Sequence, residues 1–147
     1  MSSTTAFREV IRPPIWLIAF IYFMLFSLVI AIWAAFDNNA AINAFAISIV
    51  LGAVAIYRMT STIEIKDGEL HIGKAHIPVQ YLSDVEIIAQ KDFSFQRTRG
   101  ADPAAYFATT FWVSEGVKVK VTDQRDPTPY WLISTKKAEQ LAAALQS

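Results

Sequence analysis

Polarity is distributed along this chain in two regimes. From Pro13 to Phe36, 24 consecutive residues carry no charge, and the stretch from Ile15 onward is almost wholly Ile, Leu, Phe, Ala, Val and Trp. A second uncharged run of 20 residues, Asn38–Tyr57, is less apolar and holds Asn43, Ser48 and Gly52. At a rise of about 1.5 Å per residue, roughly 20 helical residues cross a hydrocarbon core about 30 Å thick. The pattern therefore predicts two membrane-spanning helices over about 14–36 and 40–57. Asp37-Asn38-Asn39 is the polar turn expected between them. A core helix of a globular protein is seldom apolar all round. A cleaved leader would have a shorter apolar core and a small-residue cleavage site, and neither fits this run.

Beyond Arg58 the pattern changes to alternation with a period of two. In Thr62-Ile63-Glu64-Ile65-Lys66 the odd positions are apolar, Asp67-Gly68 offers a two-residue hairpin turn, and Glu69-Leu70-His71-Ile72 returns. Gly73-Lys74 suits a second tight turn, after which Ala75–Val79 leads away. Two-residue turns fix the register: Ile65, Leu70 and Ile77 form one row, and Ile63, Ile72 and Ala75 the next, all of them apolar. Asp84–Ala89 is read as a further strand and residues 92–108 as irregular, with a short helical turn near 102–106. Thr110–Val113 and Val117–Val121 are expected to form a hairpin, with Lys118 and Lys120 on its outer face as edge protection. Tyr130–Ile133 is the last strand, with Trp112 and Trp131 taken as core. Ser134 or Thr135 is then expected to cap a helix whose Ala138, Leu141, Ala142 and Leu145 form one apolar stripe.

The fold class that follows is an α+β membrane protein. A transmembrane helical hairpin over 1–58 precedes a mostly antiparallel β domain over 59–147 with a C-terminal capping helix. Roughly seven strands followed by one helix is the order of a pleckstrin-homology-like half-barrel. A plain antiparallel sheet with a helix would read the same way.

Composition sharpens this picture. The chain is 54% hydrophobic and 18% charged, with a mean hydropathy of +0.34. Its net charge is zero, and residues 59–147 carry ten Lys/Arg against eleven Asp/Glu. Nucleic-acid binding, which calls for a basic excess, has no support. The absence of cysteine excludes disulfides, iron–sulfur clusters and thiolate zinc sites. Sidedness follows from the basic residues near the span ends. Arg8, Arg12, Arg58 and Lys66 flank the entry and exit while the hairpin turn has none, which predicts both termini in the cytoplasm. No Asp, Glu, Lys, Arg or His lies deep in either span, which argues against a transporter or pump built from this chain alone.

Two clusters carry candidate chemistry. The predicted register places Glu64, His71 and His76 in one outward cross-strand row, a possible zinc site with an open coordination position; an ordinary polar strand face is the plainer reading. Lys91, Arg97 and Arg99 form the one basic cluster of note, suited to anionic lipid headgroups or a phosphate ligand, with a solvated loop as the alternative. No nucleophile elbow, P-loop or dinucleotide fingerprint is present. No catalytic residue and no cofactor is implied.

The segments Phe7-Arg8-Glu9-Val10-Ile11-Arg12-Pro13-Pro14, Asp67-Gly68-Glu69-Leu70 and Asp126-Pro127-Thr128-Pro129-Tyr130-Trp131-Leu132-Ile133-Ser134-Thr135, with the hairpin between, resemble an uncharacterised family of small actinobacterial membrane proteins. That family is a domain of unknown function with two spans and a β-rich tail, and the tail looks like bacterial pleckstrin-homology-like domains. The resemblance implies a bacterial plasma membrane and brings no reaction or ligand. The expected function is a membrane-anchored, non-enzymatic binding or scaffold module that presents its β domain to a protein partner or to lipid headgroups. The alternatives are an accessory subunit of a larger membrane complex, for example a respiratory one, and a membrane-associated enzyme or metal-binding protein.

Overall fold

The computed structural model describes residues 4–147. The chain divides into two units, one spanning Arg12–Ser61 and the other made of the residues up to Ile11 together with Thr62–Ser147. The hairpin is thus an insertion in the chain of the β unit. The division expected at residue 58 differs from this, because Thr5–Ile11 forms strand β1 and belongs with the β unit.

In the hairpin, α1 (Ile15–Ala35) and α2 (Asn38–Met59) are both long and apolar enough to cross a membrane. Proline is tolerated ahead of the first turn, where its missing N–H has no intrahelical partner, and Pro14 stands at the N-cap of α1, its carbonyl accepting from the Leu17 and Ile18 amides. The connection is tighter than the sequence suggests. The Asp37 carboxylate accepts from the Ala40 amide at 2.9 Å and caps α2, so Asn38 and Asn39 are already helical. Between the helices Gly52 faces the Tyr22 ring so closely that an added Cβ would lie 2.5 Å from Cε1. Phe26 stacks on Phe45 with centroids 5.5 Å apart. A small residue opposite an aromatic one is how helices approach closely when no hydrophobic force drives them together.

The β unit holds two four-stranded sheets. The first has the order β1-β2-β3-β4, with β2 at Ser61–Lys66, β3 at Glu69–Ile72 and β4 at Ala75–Pro78. Its pairing is the one the turns demand: Ile65 opposite Leu70, Leu70 opposite Ile77, and Ile63 opposite Ile72. Asp67 and Gly68 take φ of 52° and 78°, and Gly73 takes 60°, as tight hairpin turns require. The Asp67 amide donates to the Thr4 carbonyl, laying the end of β2 along the start of β1. Val79 falls in a short 3-10 turn, Val79–Tyr81, rather than in β4.

The second sheet has the order β5-β7-β8-β6. Here β5 is Leu82–Ile88, β6 is Tyr106–Ala108, β7 is Gly116–Val121 and β8 is Tyr130–Ser134; β6 runs parallel to β8 and the other pairs are antiparallel. Three expectations give way here. Residues 92–108 are not irregular throughout, since α3 (Gln90–Arg97) and β6 lie within 90–108. Asp102–Ala105 is a turn, not a helical segment. Thr110–Val113 is a turn rather than a strand, and β7 pairs instead with β5 and β8, so Lys118 and Lys120 stand on an interior strand.

One core joins the two sheets and the last helix, α4 (Ala138–Gln146). Ile63, Ile65, Leu70 and Ile72 from the first sheet meet Val117, Val119, Trp131 and Ile133 from the second, with Leu141 and Leu145 of α4. A smaller cluster on the opposite face of the second sheet packs Leu132 against Ile88 and Phe93 of α3, so β8 is buried on both faces. The architecture is α+β: two long apolar helices, mostly antiparallel sheets and a C-terminal helix.

The cap expected at Ser134 or Thr135 is displaced. Lys137 occupies the N-cap of α4 without a side-chain bond, and the Thr135 hydroxyl accepts from the Lys137 amide at 3.0 Å. That hydroxyl also donates to the Glu9 carboxylate of β1, whose other oxygen accepts from the Lys136 amide at 3.1 Å. Glu9 is 6% exposed and Thr135 is fully buried. A carboxylate buried this way is tolerable because hydrogen bonds to its charged form replace the water it has lost.

Candidate functional site

The first candidate lies on the outer face of β2–β3–β4. Strand alternation turns Ile63, Ile65, Leu70, Ile72 and Ile77 inward, so Glu64, His71 and His76 turn outward. The register sets Glu64 opposite His71 and His71 opposite His76, the predicted row. The imidazole rings are 5.6 Å apart at a tilt of 31°. The carboxylate that meets them, however, is that of Glu69: its Oε2 lies 3.5 Å from His71 Nε2 and 3.6 Å from His76 Nδ1. Glu69 stands two residues before His71 and so shares its face, a signal available in the alternation. Among the described residues no three His, Asp or Glu side chains are grouped so as to hold a metal ion. All three side chains are well exposed.

The second candidate, Lys91, Arg97 and Arg99, is split by α3. With 3.6 residues per turn, positions 93 and 97 share one side of the helix and 91 and 95 another. Phe93 is fully buried against the second sheet. Arg97 is half-buried, and its Nη1 donates to the Thr110 carbonyl at 3.1 Å, latching the Thr110–Val113 turn to the helix. Arg97 therefore works as a brace. Lys91 and Arg99 are exposed, with Arg99 in the turn that follows α3, and between them in sequence Phe95 is 55% exposed. Phe111, in the latched turn, is 57% exposed and meets the Trp112 ring edge-on at 5.0 Å. Sequence reasoning missed these two phenyl rings because it assigned no helix to residues 90–97 and placed Phe111 in a strand.

The remaining charged features are local. Lys118 Nζ lies 4.4 Å from the centre of the Tyr130 ring, and Lys120 pairs with Asp84 at 3.9 Å on the open face of the second sheet. In the loop before β8, a hydrogen bond and charge attraction from Asp123 raise the Arg125 pKa above its ordinary value, keeping the guanidinium charged. An open groove of about 700 Å³ runs by the Asp67-Gly68-Glu69 turn, Val79 and Ala144. Trp131 is buried in the core as expected, and Trp112, half-buried, packs against the same core.

The model of a family described as a protein of unknown function, DUF3093, covers residues 6–145, in keeping with the uncharacterised family expected from Phe7–Pro14 and Asp126–Thr135. No curated protein and no solved structure matches the chain.

Proposed function

We propose that this chain, which belongs to the DUF3093 family of proteins of unknown function, is a membrane-anchored, non-enzymatic binding module. Its hairpin spans a bacterial plasma membrane, and its β unit is offered to a partner on the cytoplasmic side. The observation that carries the reading is the exposure of the two long helices. Only 6% and 11% of their most apolar windows are buried, although a core helix of a water-soluble protein would be mostly covered. Ile15, Phe23, Ile30, Trp33, Ile42 and Val50 are each more than half exposed. An apolar surface of that extent is stable only in an apolar solvent.

Helices of 21 and 22 residues are about 32 Å long at 1.5 Å per residue and match the hydrocarbon thickness. Four basic residues on the side away from the Asp37 turn, one of them Arg58 in the last turn of α2, and none in the turn itself support cytoplasmic termini. Two sheets followed by a C-terminal helix support a pleckstrin-homology-like reading of the β unit, with β1 and the parallel strand β6 as its own departures.

The second reading is an accessory subunit of a larger membrane complex. It is favoured by Ala31, Ala34 and Ala35, which stay exposed at the end of α1, whereas Gly52 is used up inside the hairpin.

The test begins with alkaline carbonate extraction of membranes from expressing cells. The chain is expected to remain in the pellet; a monodisperse, detergent-free soluble protein overturns the proposal. Since the chain has no cysteine, Asn39→Cys can be labelled in intact cells with an impermeant maleimide, and labelling from outside is expected. Mild-detergent co-purification then separates the readings: a stoichiometric companion supports the subunit, and substoichiometric ones the module.

A further inference from the structure

We propose that the chain pairs with a second copy of itself through the face of α2 that carries Asn43, the two carboxamides bonding to each other within the bilayer. This rests on the anchored reading above and names a partner for the hairpin.

Hydrocarbon offers a polar side chain no water, so each one in a span finds a partner or carries the cost of desolvation. Others in the hairpin find one within the chain. Ser27 donates to the Phe23 carbonyl at 2.8 Å and Ser48 to the Phe45 carbonyl at 2.7 Å, each on its own helix. The Tyr22 hydroxyl reaches the Ile49 carbonyl across the hairpin at 3.4 Å, and the Trp33 indole donates to Asn38 Oδ1 at 2.9 Å. The Asn43 side chain is exposed and has no hydrogen-bond partner among the described residues. It lies about 8 Å from the middle of α2, well inside a hydrocarbon half-thickness of about 15 Å. Its side chain is too short to snorkel to the headgroups as a lysine would.

Asn43 is also turned away from α1. At about 100° per residue, it stands opposite Gly52, which faces the Tyr22 ring. It heads a row spaced alternately by three and four residues, Asn43, Ala46, Val50, Ala53 and Tyr57, every one of them exposed. That spacing is the seam along which two helices wind about each other, and the alanines let the backbones come close. The seam alone names no occupant; Asn43 names it. A carboxamide is both donor and acceptor, so two of them related by a two-fold axis satisfy each other. Every copy inserts the same way round, so a second α2 runs parallel to the first and brings its Asn43 to the same depth. A helix of another protein would have to present a matching group at that depth, whereas a second copy does so by symmetry. A single asparagine at such a seam also fixes the register of the pair.

The test uses the cysteine-free full chain, purified and reconstituted into phosphatidylcholine vesicles at high lipid excess. Single cysteines are introduced and oxidised with molecular iodine, which enters the bilayer. Val50→Cys, on the seam, is expected to give a disulfide-linked dimer. Leu51→Cys, about 100° round the helix at nearly the same depth, is expected to give little. Asn43→Leu in the Val50→Cys chain should weaken association about three- to thirtyfold, the range for an interhelical hydrogen bond in a bilayer, read as loss of linked product on dilution with lipid. Asn43→Gln keeps the amide and should restore most of it. Equal linkage from Val50→Cys and Leu51→Cys means random collision and overturns the proposal, as does linkage that Asn43→Leu leaves unchanged. A Val50→Cys chain that stays monomeric in vesicles, or that links in native membranes to a different protein, overturns it too, the second in favour of the subunit reading. A chain washed from the vesicles by alkali sinks the anchored reading and this inference with it. A retained chain without seam-specific linkage sinks this inference alone.

Discussion

Isoleucine, leucine and valine build both units of this chain, yet the two units treat them in opposite ways. In the β unit Ile63, Leu70, Val117, Val119 and Ile133 are sealed from solvent, whereas in the hairpin Ile15 is 85% exposed and Leu28, Ile30 and Val50 are more than half exposed. The difference lies in the pattern around the side chains. Strands of period two put apolar residues on chosen faces and let two sheets and a helix cover them. Helix α1 is apolar on every side, so a single neighbouring helix covers only part of it. Burying a Leu or Val contributes about 1.5–3 kcal/mol relative to leaving it in water. The β unit gains that stabilisation from its own fold, and the hairpin gains it only from the bilayer proposed around it.

If the two units really draw on different solvents, damage to one should leave the other standing. The largest effect is expected from Leu132→Ala. Leu132 is fully buried on the α3 side of β8 among Ile88, Phe93, Phe107 and Tyr130, and such truncations cost about 2–5 kcal/mol. Denaturant unfolding of the purified chain in detergent should show that loss in the β unit, while carbonate extraction shows the hairpin still retained. Loss of retention would mean that the units are one cooperative structure and would break the contrast. Next in size is Leu28→Arg, near the middle of α1 and 58% exposed. A charge there costs about 2.5–3.5 kcal/mol on insertion and should lower the fraction retained in the pellet, with the β-unit midpoint unchanged. A variant retained as well as the parent would show that this face of α1 is not in hydrocarbon.

The same division explains how much of the molecule was legible in the sequence. Uninterrupted apolarity marks α1 and α2, and alternation with Asp67-Gly68 and Gly73-Lys74 sets the β2–β3–β4 register, because those signals are local. Where partners are distant, the pattern misleads. Phe93 and Phe95, two residues apart, mimic strand alternation although α3 puts one inside and one outside. Thr110-Phe111-Trp112-Val113 has the composition of a strand, but the turn is held by Arg97 and by Ser134, whose Oγ accepts from the Thr110 amide at 3.0 Å. The outward row of Glu64, His71 and His76 follows from register alone. That Glu69 is the carboxylate meeting both rings depends on side-chain placement.

Glu9 tests the boundary between the units most finely. By sequence it stands with the hairpin, four residues ahead of Pro13, yet its carboxylate is buried on Thr135 and the Lys136 amide, at the entry to α4. Glu9→Ala removes both acceptors and strands a buried hydroxyl and an amide, at a cost of about 1–3 kcal/mol. The loss should be read in the β-unit unfolding midpoint and not in membrane retention. Glu9→Gln keeps one carbonyl acceptor and should recover part of that stability. The amount recovered divides the contribution of hydrogen-bond geometry from that of the charge. If either substitution weakened retention and left the midpoint alone, Glu9 would belong to the hairpin after all, and the insertion of the spans between β1 and β2 would be wrong.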